Sequence, residues 1–359
     1  TATLFNTSTG LYMQDLTLKN AYPFDKSTGR AVCLQDKGTQ TICKNVKMLS
    51  YQDTYYSNEP NGKGQFYFED SEIHGTVDYV CGGGDVYFNR VLFVNESRKE
   101  GVKNGEDVIA APNSKSEWGY IFKDCTIENK AKAFSLGRSW NNITRLTWLN
   151  TTINQKDEIL NDDKKYAYFT INAMGDAMAD KFRLDVLKDA EGNVFSPAEK
   201  KVIFKNSDAT KQKAEENIIL TDEEAATFTL NAVFGDWRPE TKAAQATATA
   251  TTLKDGKLSW TGDAKMYLVA KDGKFYTLTT ENTLAVDDDK ASFTVRSAND
   301  MGGFGAATGS VSTGINSIMT TETAVAKTAI FAADGTQLST LQKGINIVEK
   351  TMSDGSKKT

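Results

Sequence analysis

A ten-residue pattern recurs six times in the first 155 residues and constrains the fold more than any other feature of the chain. In every copy the third and eighth residues are apolar, and the fifth is Asp, Asn, Asp, Arg, Asp and Asn in chain order. The copies begin 30, 25, 20, 34 and 26 residues apart. They are LYMQDLTLKN from Leu11, TICKNVKMLS from Thr41, FYFEDSEIHG from Phe66, VYFNRVLFVN from Val86, YIFKDCTIEN from Tyr120 and LTWLNTTINQ from Leu146.

Strand-like alternation on both sides of one polar residue, repeated at this spacing, is typical of a β-solenoid in which each short strand stacks on its equivalent one coil away. The polar fifth residue predicts a bend, because Asn and Asp tolerate turn conformations and can hydrogen-bond along the stack. The spacing between the segments then varies because the surface loops that join the strands differ in length. The alternative, a β-sandwich, predicts hairpins with turn signals every 8 to 12 residues or so. We therefore predict an all-β chain that begins with a right-handed parallel β-helix.

Composition limits the partners. The chain has 359 residues, 39% of them hydrophobic, and a formal net charge of −5 without a long basic run, so neither nucleic acid nor an anionic membrane gains electrostatic support. No stretch approaches the roughly 18 apolar residues of a membrane-spanning helix. Because the sequence starts with Thr-Ala-Thr-Leu, without a methionine or signal sequence, we expect that the true N-terminus is missing from it.

The cysteines and the one histidine give little support to metal or thiol chemistry. Cys33, Cys43, Cys81 and Cys125 are far apart with no CxxC pair, so we interpret them as small core residues, with one disulfide possible. His74 would have to be the base of any Ser-His-Asp or Cys-His site, and no GxSxG motif accompanies it. A structural or solvated role is favoured for His74.

Two aspartates occupy the same position relative to a repeat segment, which we call the same phase of the repeat. Asp53 and Asp78 each lie three residues beyond the end of a repeat segment. If equivalent positions stack about 4.8 Å apart, the two carboxyl groups are neighbours on one face of the solenoid. Two close carboxylates do not ionise independently, so one would be held protonated while the other stays charged. The alternative is two polar loop residues that merely share a phase.

Three ordered motifs resemble those of the pectinesterase (pectin methylesterase) family: SYQDTYY (50–56), HGTVDYV (74–80) and FSLGRSW (134–140). The resemblance covers about residues 1–240 and begins inside the family's domain, so it implies that the first coils are missing from this sequence. It implies a parallel β-helix that hydrolyses the methyl esters of galacturonan in pectin, without a metal or organic cofactor. It also implies secretion, to the periplasm, the cell surface or the medium, and we expect a monomer.

The resemblance assigns roles residue by residue. Asp78 matches the nucleophile, Asp53 the general acid and base, and Gln52 a donor to the oxyanion. Arg138 matches the arginine that orients the nucleophile. The residues matched to substrate contacts are Trp140, Tyr51 and Tyr79.

Three departures from the family pattern affect the predicted site. Arg30 stands where the family has a second oxyanion glutamine; its guanidinium could donate to the oxyanion, or pair with an aspartate and depress the pKa of the acid. Gly82–Gly84 follow the nucleophile and predict close backbone approach or a bulge. The segment 57–64 predicts an enlarged loop at the edge of the cleft.

The remaining third of the chain differs in composition. Residues 241–252 are predicted to be a linker, and 253–311 a small β-sandwich of fibronectin type III character with Asp-Gly turns at 255–256 and 272–273. Residues 312–359 are predicted to be a short C-terminal β segment, similar to C-terminal modules of Bacteroidetes surface proteins. Its two alternative roles are a sorting signal and a plain terminal β-domain.

Two other functions compete with ester hydrolysis at this point. A β-helical polysaccharide lyase would need calcium held by acidic residues and a Lys or Arg base. A non-catalytic pectin-binding β-helix would keep the cleft but lose catalysis through Arg30. The ordered esterase motifs favour the hydrolase.

Overall fold

The computed structural model describes residues 2–22, 29–57, 62–97, 106–113, 116–131, 133–140, 143–155, 161–162, 166–167, 178–196, 201–202 and 216–313, with short pieces at 325–332, 336–338, 346–352 and 357–358. These residues divide into two compact units: residues 1–245 with 299–303, and residues 246–298 with 304–359. Strands and helices are numbered below in chain order.

The first unit is a parallel β-helix with three strand faces. Sheet 1 has six parallel strands: β1 (Leu4–Asn6), β3 (Leu34–Asp36), β5 (Tyr55–Ser57), β8 (Val77–Gly82), β11 (Glu106–Pro112) and β14 (Ala133–Gly137). Sheet 2 contains β6 (Gln65–Glu69), β9 (Asp85–Asn89), β12 (Tyr120–Lys123), β15 (Ile143–Leu149) and β19 (Met178–Leu184). Sheet 3 contains β7 (Glu72–Gly75), β10 (Leu92–Asn95), β13 (Thr126–Asn129), β16 (Thr151–Ile153) and β20 (Leu187–Lys188).

Two long strands connect sheets 2 and 3. β2 (Tyr12–Lys19) and β4 (Thr41–Leu49) pair along both halves, and β4 then pairs β6 through its first half and β7 through its second. The strand pairing confirms the predicted parallel β-helix.

The repeat template matches the coils residue for residue. Third-position side chains stack in the interior, with ring centroids 4.9 Å apart for Phe68 and Phe88, 4.8 Å for Phe88 and Phe122, and 3.8 Å for Phe122 and Trp148. The eighth positions align in sheet 3, where Ile73 pairs with Phe93. Both rows face the interior because alternate strand residues face the same side, and all of their residues are buried except Leu18, which is half-buried.

All six fifth-position residues adopt the left-handed conformation, as the polar bend predicts. Some of their side chains also bond along the stack: Asn45 Nδ2 donates to Asp15 Oδ1 (2.7 Å) and Asn150 Nδ2 to Asp124 Oδ1 (2.5 Å). Their φ angles lie between 48° and 54°: Asp15, Asn45, Asp70, Arg90, Asp124 and Asn150. We call this row the bend ladder.

Three short helices cover the outer side of sheet 2: α1 (Asp222–Ala225), α2 (Leu230–Phe234) and α3 (Pro239–Ala243). Phe234 and Trp237 pack on outward side chains of the sheet, among them Tyr67 and Tyr87. The other short strands before the second unit are β17 (Asn161–Asp162), β18 (Tyr166–Ala167), β21 (Lys201–Val202) and β22 (Glu216–Asn217).

The second unit is antiparallel. Its two three-stranded sheets share one core that includes Trp260, Tyr267 and Phe293, which agrees with the predicted β-sandwich. Their strands are β23 (Thr249–Lys254), β24 (Lys257–Thr261), β25 (Tyr267–Lys271), β26 (Lys274–Thr279), β27 (Thr283–Ala285) and β28 (Phe293–Ser297). A four-stranded sheet follows: β29 (Val325–Ala332), β30 (Gln337–Leu338), β31 (Asn346–Met352) and β32 (Lys357–Lys358).

Sequence and structure differ at the predicted linker. Residues 241–252 include the end of α3 and the start of β23, because the small residues there fit a helix end and a strand as well as a coil. The Asp-Gly turns join β23 to β24 and β25 to β26, and both of their aspartates have positive φ. The fibronectin type III character and the sorting role stay predictions.

Candidate active site

The backbone of sheet 1 brings the two predicted aspartates onto neighbouring coils. Tyr55 pairs with Val80 in register, so two residues earlier Asp53 lies beside Asp78. The Asp53 amide donates to the Val77 carbonyl (3.3 Å). Both aspartates have left-handed φ angles, 57° and 49°. Their shared phase in the sequence is therefore a shared place on one face.

A β-bulge sets the direction of Asp78. Between the pairs Val77–Val108 and Val80–Ala110, β8 takes three steps where β11 takes two. The extra residue bends the strand and re-aims the side chains next to it.

Tyr79, predicted to contact substrate, lies instead in the core. Its side chain is fully buried, and its hydroxyl donates to Asn95 Oδ1 (2.9 Å). The prediction was wrong because a linear motif does not show that the residue after the bulge points inward.

Arg138 holds Asp78 through two hydrogen bonds, Nε to Oδ1 (2.8 Å) and Nη2 to Oδ2 (2.5 Å). Asp78 is 4% exposed, so this is a largely buried bidentate pair. Burial by itself would lower the pKa of Arg138, but the hydrogen bonds and charge of Asp78 outweigh it and raise that pKa.

A glycine fixes where this arginine starts. A Cβ on Gly137, the last residue of β14, would lie 2.4 Å from Leu146 Cδ2 and 2.9 Å from the Ala110 carbonyl oxygen. The Arg138 amide donates to that same oxygen (2.9 Å). Only glycine lets the strand pack this closely just before the arginine.

Asp53 has a different environment. Burial and the negative charge of Asp78 raise the pKa of Asp53 to about 7, although Arg30, Gln52 and Arg138 all act to lower it. The pair thus consists of one carboxyl group that takes up a proton near neutral pH and one carboxylate held by an arginine.

Arg30 pairs with the acid. Its Nε lies 3.2 Å from Asp53 Oδ2, and its side chain is 67% exposed. Of the two arrangements that the sequence left open, the structure has the ion pair with Asp53. Gln52 also bonds Asp53 through its side chain, and its backbone carbonyl accepts from the Ala31 amide (2.9 Å).

An aromatic pair borders the site. The rings of Trp140 and Tyr56 lie 5.7 Å apart, and both side chains are half-buried. Sequence reasoning missed Tyr56; the signal was its place in β5, where Tyr55 faces inward and the next residue must face outward. Tyr51, also predicted to contact substrate, lines a neighbouring groove with His74 and Glu96.

The glycines after Asp78 make close backbone contacts. A Cβ on Gly82 would lie 1.9 Å from the Ser57 carbonyl oxygen, and one on Gly84 would lie 2.5 Å from that of Gly64. The close approach predicted from the sequence is present. Half of the predicted enlarged loop, residues 58–61, falls outside the described residues.

His74 has structural partners. Its Nδ1 lies 2.6 Å from Glu96 Oε1, and its Nε2 bonds Glu72. All four cysteines are buried and free. Within the described ranges no group of three or more His, Cys, Asp or Glu side chains could hold a metal ion, and no helix there is long and apolar enough to cross a membrane.

Comparison with known proteins finds matches to one family. Residues 1–161 match the family model described as Pectinesterase. The chain is 30% identical over 156 residues to pectinesterase B of Dickeya dadantii (39% of this chain and 35% of that protein). It is 24% identical over 261 residues to pectinesterase A of Dickeya chrysanthemi (63% and 65%). Over these residues the chain is similar to the pectinesterase family.

The matches are partial in length. The chain spans 35% and 40% of the pectinesterase B proteins of Dickeya dadantii and Pectobacterium parmentieri. Among solved structures it is similar to the pectin methylesterase PemA from Erwinia chrysanthemi (TM-score 0.48, 23% identity, 66% of this chain and 73% of that one). It is also similar to the pectin methylesterase from carrot (TM-score 0.46, 17% identity, 66% and 69%).

Proposed function

We propose that this chain hydrolyses the methyl esters of galacturonan in pectin, giving pectate and methanol. One observation carries the proposal: two buried aspartates lie side by side, one held by Arg138 and the other with a pKa of about 7. Acyl transfer through a carboxylate needs this division into a charged nucleophile and a proton donor. The family match and the relatives named pectinesterase support the same reaction.

In the first half-reaction, an Asp78 carboxylate oxygen attacks the carbonyl carbon of the C6 methyl ester. The tetrahedral intermediate collapses, the bond to the methoxy oxygen breaks, and Asp53 gives its proton to the departing oxygen, so that methanol leaves. The sugar carbonyl is then joined to Asp78 as an anhydride. Gln52 is the proposed donor to the oxyanion in this step.

In the second half-reaction, Asp53 is ionised and acts as a base. It takes a proton from water, and the hydroxide attacks the sugar carbonyl of the anhydride. The bond to Asp78 breaks, the nucleophile regains its charge, and the sugar carboxylic acid loses its proton to solvent. Arg138 is a positioning residue that holds Asp78 in both steps, and the rings of Trp140 and Tyr56 are proposed to border the sugar site.

Arg30 adds a second effect in this mechanism. Its ion pair lowers the pKa of Asp53 from the still higher value that burial and Asp78 would give it. Asp53 thereby becomes able to act as acid and as base at neutral pH. Because the Arg30 side chain is two-thirds exposed, it can also swing toward the developing oxyanion when an ester is bound.

Methanol release tests the proposal. The protein is incubated with highly methylated pectin and with fully de-esterified pectate as the control substrate. Methanol from the first alone, lost on Asp78→Asn, is the expected result. Unsaturated products that require calcium would instead indicate a lyase. Pectin binding without turnover, with turnover gained by Arg30→Gln, would indicate a binding module that Arg30 had inactivated. Secretion and the monomeric state stay predictions.

A further inference from the structure

A second cavity lies on the outer side of sheet 2. Its volume is about 520 Å³, and the side chains used below to define it are Trp118, Arg145, Thr147, Arg183, Leu220 and Phe228. We call it the arginine pocket. It is built on β15 and β19, whereas the candidate active site is built on sheet 1. A cavity of a few hundred Å³ is large enough for a small ligand.

One row of outward side chains on sheet 2 changes from apolar to polar residues at this pocket. Paired residues run across sheet 2 in the order Tyr12, Ile42, Tyr67, Tyr87, Ile121, Thr147 and Arg183. The first five are aromatic or aliphatic, and Ile42, Tyr67, Tyr87 and Ile121 are buried in the cluster that contains the covering helices. A purely structural covering layer would favour apolar residues to the end of the row. The last two positions are polar instead and line a cavity.

Two arginines reach this pocket from neighbouring strands. Leu146 and Phe182 face the core, so Arg145 and Arg183, each one residue away, face outward. Nη1 of Arg145 donates to the Glu117 carbonyl, and Nη1 of Arg183 donates to the Phe182 carbonyl (3.1 Å). Backbone carbonyls accept from both guanidinium groups and orient them, and a guanidinium has five N–H donors with which to bind a carboxylate as well.

An aromatic wall completes the pocket. The Trp118 ring meets that of Phe228 edge-on, with centroids 5.5 Å apart. The amides of Trp118 and Gly119 both donate to Asp85 Oδ1 (2.9 and 2.8 Å), which fixes the backbone below the indole. A half-buried, well-positioned aromatic ring can pack on the apolar side of a sugar ring.

Two carboxylates at the rim limit the charge of the ligand. Glu224 lines the pocket, but its Oε2 accepts from the Thr221 amide (2.9 Å) as part of the α1 capping box. Glu117 also lines the pocket and is exposed. With two arginines and two glutamates the formal charge of the lining is zero, which favours a ligand with few carboxylates over a long polyanion.

We propose that the arginine pocket binds a short uronic acid oligosaccharide, with one carboxylate between Arg145 and Arg183 and a sugar ring against Trp118. Such a ligand is a fragment of the polymer that the proposed function would de-esterify. The inference rests on that function for the source of the ligand, and on the pocket itself for the chemistry.

Calorimetric titration with digalacturonate tests the site. The ligand is titrated into the full-length protein and into the double variant Arg145→Gln/Arg183→Gln. We expect the arginine pocket of the double variant to bind digalacturonate at least about tenfold more weakly than that of wild type, so that one binding event is lost from the titration. The Trp118→Ala variant should weaken binding by about the same factor. The matched control is Arg90→Gln, another arginine on the outside of the coil, which should bind as the wild type does.

The controls separate this inference from the proposed function. Neutral galactobiose should bind the pocket at least about tenfold more weakly than digalacturonate, and added salt should weaken the digalacturonate titration. Methanol release should not change in the pocket variants. Equal binding by wild type and double variant would overturn the pocket, whatever the methanol assay shows. A protein without methanol release whose pocket still binds would instead overturn the catalytic proposal alone.

Discussion

Two arginine–aspartate pairs in this molecule share one geometry and differ in their surroundings. In the bend ladder, Arg90 Nε donates to Asp70 Oδ1 (2.8 Å) and Nη2 to Oδ2 (3.1 Å). In the candidate active site, Arg138 makes the same two bonds to Asp78. Both aspartates have a left-handed backbone, with φ angles of 50° and 49°.

Burial separates the two pairs. The side chains of Arg90 and Asp70 are 50% and 48% exposed, whereas those of Arg138 and Asp78 are 17% and 6% exposed. An exposed ion pair is screened by water and contributes little, but a buried pair is strongly coupled and costly to break. An unusual φ angle and a bidentate pair are therefore common to both places, and the burial of two carboxyl groups together distinguishes the candidate active site.

The largest expected effect comes from Asp78→Asn. We expect kcat/KM for methylated pectin to fall by about 10³ to 10⁵, because the amide cannot form the acyl intermediate. Methanol release measures the loss, and circular dichroism checks that the β-helix remains. Asp70→Asn, the counterpart in the bend ladder, should keep its activity; a similar loss there would show that the left-handed backbone, and not burial, decides function.

The next effect is that of Arg138→Gln. We expect kcat to fall by about 10² to 10³ and the free energy of unfolding to fall by about 3 to 5 kcal/mol, because Asp78 is left buried without its partner. Urea unfolding and methanol release measure the two effects. Arg90→Gln should change the free energy of unfolding by less than about 1 kcal/mol and leave kcat alone. Equal destabilisation by the two variants would contradict the role given to burial.

Asp53→Asn should change how stability depends on pH. The pKa of Asp53 in the folded chain, about 7, is above that of an unfolded aspartate, about 3.9. The folded state therefore holds the proton of Asp53 more tightly than the unfolded state does. This proton stabilises the folded state fully below about pH 4, and the stabilisation is lost as pH rises through about 7. Relative to wild type, the variant should gain up to about 4 kcal/mol between about pH 4 and pH 8, measured by urea unfolding. Asp124→Asn in the bend ladder is the control, and a gain that does not depend on pH would rule out this origin.

The smallest expected effect is that of Arg30→Gln on the pH profile. Removing the guanidinium removes one cause that lowers the pKa of Asp53, so the alkaline limb of kcat/KM should move to higher pH, by about one unit or less for a largely exposed partner. Methanol release measured across the pH range locates that limb. Arg90→Gln again serves as the control. A limb that stays in place would show that Arg30 does not set the pKa of the acid.

Much of the β-helix could be predicted because its coils repeat. The apolar third and eighth residues and the polar fifth residue of each segment specify buried rows and bends through local rules that hold in every coil. The phase of Asp53 and Asp78 follows from the same repeat. Arg138 could be found only through a motif, since 60 residues separate it from Asp78 and nothing local joins them.

The sequence by itself determined the coil, the bend ladder and the neighbouring places of Asp53 and Asp78, because these depend on contacts between equivalent residues of adjacent coils. Only the tertiary structure decided which way Tyr79 points, that Arg30 pairs with Asp53, and that polar residues end an apolar row at the arginine pocket. Each of these depends on a bulge, a long side chain or a segment distant in the chain. Burial, and with it the pKa of Asp53, is a property of the assembled coils and is not encoded in any single segment.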